Sequence, residues 1–186
     1  MQALRLLTTR LELVSATVEL AQAEIRDLST FAGLLSVPTP AIWPPPLNDE
    51  HSQRKFLASL QKAKPRDAGW NLWFCIRREP PELIGIAGFK DSPKEGFVEV
   101  GYSILEAHQR NGYCTEAVRV LVGWALQNSA VRVVVGHTLP ELTPSIRVME
   151  KCGFVLVGDG PIEDGRQTIR YEVTPKRFQP FASQGA

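Results

Sequence analysis

The 186-residue chain holds three cysteines, three histidines and two methionines. Cys75, Cys114 and Cys152 are odd in number and form no C-x-x-C pair. That excludes a disulfide framework and a cysteine zinc site, and it fits a reducing compartment. No apolar run approaches the ~18 residues of a membrane helix. Arg5, Arg10 and Glu12 interrupt the N-terminal apolar stretch, so it does not read as a secretory leader. The expected location is the cytoplasm, with no membrane partner. No block of lysine and arginine is present and the net charge is +1, so nucleic acid is not an expected partner. Two phosphate signatures are also missing. There is neither the G-x-x-x-x-G-K-S/T of a P-loop nor the G-x-G-x-x-G of a dinucleotide fold.

What is present reads as a globular α/β chain. Hydrophobic residues make up 44% and charged residues 22%. One domain is expected over residues 1–174, with a frayed tail over 175–186. Alternation over residues 4–14 predicts a first strand. Thr17 caps a predicted helix from Val18 to about Leu35, and Asn48 or Asp49 starts another to about Lys62. Between them the prolines around Trp43 exclude helix and central strand. Strands are expected over 71–77, 83–90 and 98–105, as an antiparallel meander. A helix over 115–127 and the valine run 131–137 follow, the latter a buried strand in parallel pairing. Pro144 and Ser145 start a short helix that ends at Gly153. Strands over 154–157 and 168–173 close the order.

The richest segment is Gln109-Arg110-Asn111-Gly112-Tyr113-Cys114-Thr115-Glu116-Ala117. It joins a predicted strand to a predicted helix. The first turn of a helix leaves backbone N–H groups without partners, and the helix dipole favours negative charge there. Thr115 is the expected cap, and Gly112 allows positive φ or close approach of a ligand. A phosphate cradle built mainly from main chain follows. The segment resembles the Q/R-x-x-G-x-G/A loop of the GNAT N-acetyltransferase superfamily, with Gln109, Gly112 and Cys114 at its three defining positions. Cys114 departs from the usual glycine or alanine but stays small.

Two further segments carry the resemblance toward the RimJ/RimL-like branch, the ribosomal-protein-alanine acetyltransferases. Val98-Glu99-Val100-Gly101-Tyr102 is similar to the branch's E-x-G-Y strand. His137-Thr138-Leu139-Pro140-Glu141, followed by Ser145 to Phe154, is similar to its second signature. The branch often carries an asparagine two or three residues before the serine, and here those positions are Thr143 and Leu142. The resemblance implies an acyl-CoA N-acyltransferase fold. That is a mixed, mostly antiparallel sheet of about seven strands with four helices, splayed between the fourth and fifth strands. It implies acetyl-CoA as cosubstrate, no metal, and a primary-amine acceptor, either a small molecule or a peptide.

The same resemblance assigns roles. Backbone N–H groups of Ile104 or Leu105 would polarise the thioester carbonyl. Gln109, Arg110, Asn111, Gly112, Tyr113, Cys114 and Thr115 would hold the pyrophosphate, and Thr143 the pantetheine arm. Glu99 is the first candidate general base, and its other reading is a strand glutamate paired with a lysine. His137 is the second, because imidazole titrates near neutrality, and Glu141 the third. Ser145 is the candidate hydrogen-bond donor to the leaving sulfur, or a helix cap. Trp43 would border the acceptor pocket. Two functions remain open: an N-acetyltransferase working by direct attack in a ternary complex, or a non-catalytic acyl-CoA sensor. A homodimer through the C-terminal strands is compatible with the layout.

Overall fold

The computed structural model describes residues 2–180. The chain opens as a hairpin, β1 (Arg5–Leu7) and β2 (Leu11–Ser15), where alternation alone predicts one strand. The turn contains neither glycine nor proline. Thr8 makes it instead, its hydroxyl accepting from the Leu11 N–H at 2.9 Å while its own N–H donates to the Leu11 carbonyl. The helix expected from Val18 is two helices, α1 (Val18–Arg26) and α2 (Leu28–Leu35). Asp27 breaks it by taking extended backbone, and its carboxylate then caps the Ser29 and Thr30 amides. α3 (Glu50–Lys62) starts behind Asp49, which accepts from the Ser52 N–H.

A meander follows: β3 (Leu72–Arg77), β4 (Glu82–Phe89) and β5 (Phe97–Ile104). Then come α4 (Tyr113–Leu126), β6 (Val133–Thr138), α5 (Thr143–Lys151), β7 (Val155–Glu163) and β8 (Arg166–Val173). The last two strands are longer than predicted. Gly158, Gly160 and Pro161, which read as turn residues, lie inside β7, where the pairing with β8 shifts register twice. Among the described residues there are eight strands in one sheet, ordered β1-β2-β3-β4-β5-β6-β8-β7, and five α-helices. The sequence leads to about seven and four; splitting the first strand and the first helix accounts for the difference.

Alternate residues of the central strands feed two cores. Leu13, Trp73, Phe89, Val98 and Val100 pack under α4 with Leu121 and Met149. Val14, Phe74, Leu83 and Ile86 pack on the opposite face with Leu20 and Phe31 of α1 and α2. Trp70 and Trp73 both belong to the first core, their rings meeting Trp124 at 4.6 and 5.6 Å. Phe178, in the expected tail, also packs there.

The feature that makes a site is the junction of β5 and β6. These strands are parallel, and they pair only at Phe97 with Val133, Val98 with Val134, and Glu99 with Val135. Beyond Glu99 they part. This is the predicted splay between the fourth and fifth strands, shifted by one in number because the first strand is a hairpin.

Candidate active site

The gap has one free edge of backbone. Lys90 N–H donates to the Glu99 carbonyl and Leu105 N–H donates to the Ile84 carbonyl, so residues 99 and 105 turn their polar groups toward β4. Antiparallel alternation then aims those of Tyr102 and Ile104 across the gap, while the Val100 N–H is taken by the Val135 carbonyl in the last parallel pair. Of the two amides nominated from sequence, only that of Ile104 lies on the open edge; the Leu105 N–H is already spent. The Gln109 side chain closes the end of the edge by donating to the Ile104 carbonyl at 3.0 Å.

At that end the chain enters α4. Gly112 is the cap residue at φ 80°, and Arg110 is also left-handed, at φ 63°. Thr115 is not the cap: it lies inside the first turn, because the helix starts two residues earlier, at Tyr113. Glu116 N–H is the first to find an acceptor, the Gly112 carbonyl at 3.1 Å. The amides of Tyr113, Cys114 and Thr115 are therefore the first-turn donors that an α-helix leaves open to an anion. The Asn111 side chain donates to the carbonyls of His108 and Gln109 and stiffens the loop. Cys114 is half-buried against the core, and burial, with Cys75 and Cys152 nearby, pushes its thiol up, which disfavours the reactive thiolate.

The loop is also held from a distance the sequence does not reveal. Glu116 is buried, and it accepts from the Thr8 hydroxyl at 2.6 Å, the Arg10 N–H at 3.0 Å and Arg10 Nε at 2.7 Å. Arg10 Nη1 goes on to donate to the Asn111 carbonyl at 2.9 Å, and the guanidinium lies 4.7 Å over the Tyr113 ring. Burial works to raise the Glu116 carboxyl, but its bonds to Thr8 and Arg10 outweigh this and hold it low. The turn of the first hairpin is thus clamped to the loop that leads into α4.

The two mouths of the gap carry different chemistry. Val98, Val100 and Tyr102 face α4, so Glu99, Gly101 and Ser103 face the α1–α3 side. On that side Glu99 meets His137, whose Nδ1 lies 3.1 Å from Glu99 Oε1. Neither ring nitrogen has an aligned hydrogen bond among the described residues, so we read this as a close polar contact and not a formed hydrogen bond. His137 fits because residue 160 is glycine: a Cβ there would come within 2.8 Å of the ring. Lys90 places its ammonium on both Glu99 and Glu163, the latter at 2.8 Å. Ligating atoms of Glu99, His137 and Glu163 lie within 4.8 Å of one another, and the cation among them is Lys90. Both readings of Glu99 thus meet in one cluster, since it has a lysine partner and an imidazole neighbour.

On the α4 side Tyr102 Oη lies 3.1 Å from the Ser145 carbonyl and 3.0 Å from Ser145 Oγ. The tyrosine can donate to the carbonyl, and in the pair of hydroxyls either oxygen can be the donor. Burial pushes the phenol up, against the Ser145 bond, so it stays protonated. Ser145 is not a helix cap: α5 begins at Thr143, and Leu142 stands at the cap position without a side-chain acceptor. Buried Thr138 Oγ1, at the end of β6, has no partner among the described residues. Glu141 is ion-paired with Arg166 at the surface. Trp43 donates from Nε1 to Glu24 at 3.0 Å and packs near Phe31, which fixes the proline loop on α1 and α2.

Comparison with known proteins adds what geometry alone does not. Residues 17–155 match the acetyltransferase (GNAT) domain family. YjdG of Bacillus subtilis, described as an uncharacterised N-acetyltransferase, is 33% identical over 89 residues, which are 47% of this chain and 53% of YjdG. The chain thus spans about half the length of that relative. The ribosomal-protein-serine acetyltransferase of Escherichia coli is 29% identical over 117 residues, 62% of this chain and 64% of that protein. A structure of RimL, a ribosomal-protein alpha-N-acetyltransferase, in complex with coenzyme A superposes with a TM-score of 0.65 at 18% identity, covering 90% of this chain and 95% of that one. The sheet, its splay and the matched residues lead to one assignment: the chain belongs to the acetyltransferase (GNAT) domain family.

Proposed function

We propose that the chain transfers the acetyl group of acetyl-CoA to a primary amine, a protein N-terminus or a small-molecule amine, by direct attack in a ternary complex. One observation carries this reading. The gap past Glu99 has an open backbone edge, a helix N-terminus at its far end, and proton-handling groups at both mouths. The pyrophosphate fits the amides of residues 110–115. The pantetheine arm then runs back along about 13 Å of open edge, from Ile104 toward Val100. The thioester then lies beside Tyr102, whose amide takes the polarising role first given to Ile104 and Leu105. The relatives that act on ribosomal proteins, and the coenzyme A bound to RimL, support the same cosubstrate and acceptor class.

An amine reaches the site as an ammonium and must lose a proton before it attacks. Glu99 accepts it, directly or through water, and His137 stabilises the protonated cluster. Attack leaves charge on the carbonyl oxygen, which the edge amides meet. The thiolate leaves on the other mouth, where the Tyr102–Ser145 pair offers a hydroxyl proton. A second reading is a non-catalytic acyl-CoA sensor, favoured by the Lys90 ammonium seated on Glu99.

Thiol release from acetyl-CoA, assayed across N-terminal peptides and small amines, decides between them. The enzyme reading expects acceptor-dependent release that falls by about 100-fold or more in Glu99→Gln. Acetyl-CoA binding without release for any acceptor supports the sensor.

A further inference from the structure

We propose that Lys90 is a self-acetylation site, to which the chain transfers the acetyl group of bound acetyl-CoA when no amine acceptor is present. This rests on the acetyltransferase reading. Lys90 follows β4 and bonds through its N–H to the Glu99 carbonyl at 3.0 Å, so the two residues are neighbours across the sheet. Their side chains share the α1–α3 face. The Lys90 ammonium contacts the same Glu99 oxygen that His137 approaches. An acceptor amine must stand against the base at the mouth of the gap, and Lys90 already places an amine there. The space above is clear. A Cβ built on Gly101 would meet nothing within 4 Å, so the thioester can lie over β5 beside the lysine. Lys90 is also half exposed, with room to swing about its ion pairs.

The step balances. Glu99 takes one proton from the ammonium, and the neutral Nζ attacks the thioester carbonyl carbon. The C–N bond forms, the C–S bond breaks, and the sulfur leaves with the second nitrogen proton as the free thiol. The product is a neutral amide. Burial alone would lower the proton affinity of Lys90, but its bonds to Glu163 and Glu99 raise it, which retards this reaction relative to turnover of a free acceptor. Once acetylated, Lys90 no longer neutralises Glu99 and Glu163. The mouth becomes more negative by one charge, which favours a cationic acceptor.

The test incubates the full chain with acetyl-CoA carrying an isotopic label in its acetyl group, with no amine added. Peptide mass spectrometry then follows the label at each lysine. Lys90 is expected to label about tenfold or more faster than exposed Lys55 and Lys62, since it alone is held against the base. The rate is independent of protein concentration, and a coenzyme A analogue without the sulfur suppresses labelling at Lys90 only. Lys90→Arg removes that label and confirms the position. Labelling of Lys90 at the rate of Lys55, or labelling that the analogue does not suppress, overturns the proposal. Thiol release to added amines, measured on the same preparation, separates the two ideas. Release without label on Lys90 sinks self-acetylation and leaves the acetyltransferase reading; neither release nor label sinks both.

Discussion

Glu24 gathers Trp43 Nε1, Asn48 Nδ2 and Gln53 Nε2 onto one carboxylate oxygen, at 3.0, 2.9 and 3.2 Å. It ties α1, the proline loop and α3 into one body. Burial pushes its carboxyl up to about 7, against the pull of those three bonds. The sign of the pH effect follows. The folded state keeps a proton that the unfolded chain releases above its ordinary value near 4.5, so stability falls as pH rises from there to about 7. Glu24→Gln keeps an acceptor for the three donors and carries no charge. We expect it to flatten this slope and to be more stable than wild type at pH 8 by about 2 kcal/mol. Urea denaturation of both proteins at pH 5 and pH 8 checks it. Equal slopes in the two would show that Glu24 does not titrate in this window.

The clamp between the first hairpin and the start of α4 belongs to the scale of elements. Arg10 and Glu116 hold the loop at 109–115, to which we assign the phosphates, in its left-handed path before any ligand arrives. Such preorganisation lowers the ordering cost of binding. Arg10→Ala should therefore raise the Kd for acetyl-CoA about tenfold, a loss of about 1.4 kcal/mol. Turnover of acetyl-pantetheine, which has no pyrophosphate, should stay within about twofold of wild type. A parallel loss with both substrates would mean that Arg10 supports the fold at large and not the phosphate site. The clamp also marks where sequence reasoning stops. The loop at 109–115, the meander and the valine strand were legible because their signals are local: a glycine in a strand-to-helix turn, and hydrophobic periodicity. Arg10 and Glu116 are 106 residues apart, and nothing in either neighbourhood announces the other. Lys90 and Glu163 were hidden for the same reason, 73 residues apart and joined only by the fold. Local exceptions hid other features. Thr8 turns the first hairpin without glycine or proline, and Asp27 divides a helix whose apolar spacing runs on unbroken. Gly158 and Gly160 mimic a turn inside a bulged strand.

At the scale of the molecule, the sheet is two halves joined at β5 and β6 by three residue pairs. One half runs from β1 to β5 and the other is β6, β8 and β7; the core with Phe31 and Phe74 belongs to the first half, while the core under α4 spans both, with Val134, Tyr171 and Val173 from the second. Beyond Glu99 the halves are bridged by the Tyr102–Ser145 bond and by α4 packed across both strands. A ligand laid along the open edge replaces the missing strand, as an added peptide completes a sheet. It must therefore protect some β5 amides and leave others unchanged. Those of Gly101 and Ser103 face β4 and are bonded with or without ligand. Those of Tyr102 and Ile104 face the gap and gain partners only when the pantetheine arm is present. Hydrogen exchange read residue by residue, with and without saturating acetyl-CoA, should slow at Tyr102 and Ile104 by about 100-fold. That factor corresponds to the stabilisation of about 2.7 kcal/mol given by ligand at 100 times its Kd. Gly101 and Ser103 should change less, because they exchange through local β4–β5 fluctuations that do not expel the ligand. Uniform slowing along β5 would mean that ligand only stabilises the whole fold. Slowing confined to residues 110–115 would mean that the phosphates dock while the arm stays out of the gap, and catalysis in the gap would then have no substrate.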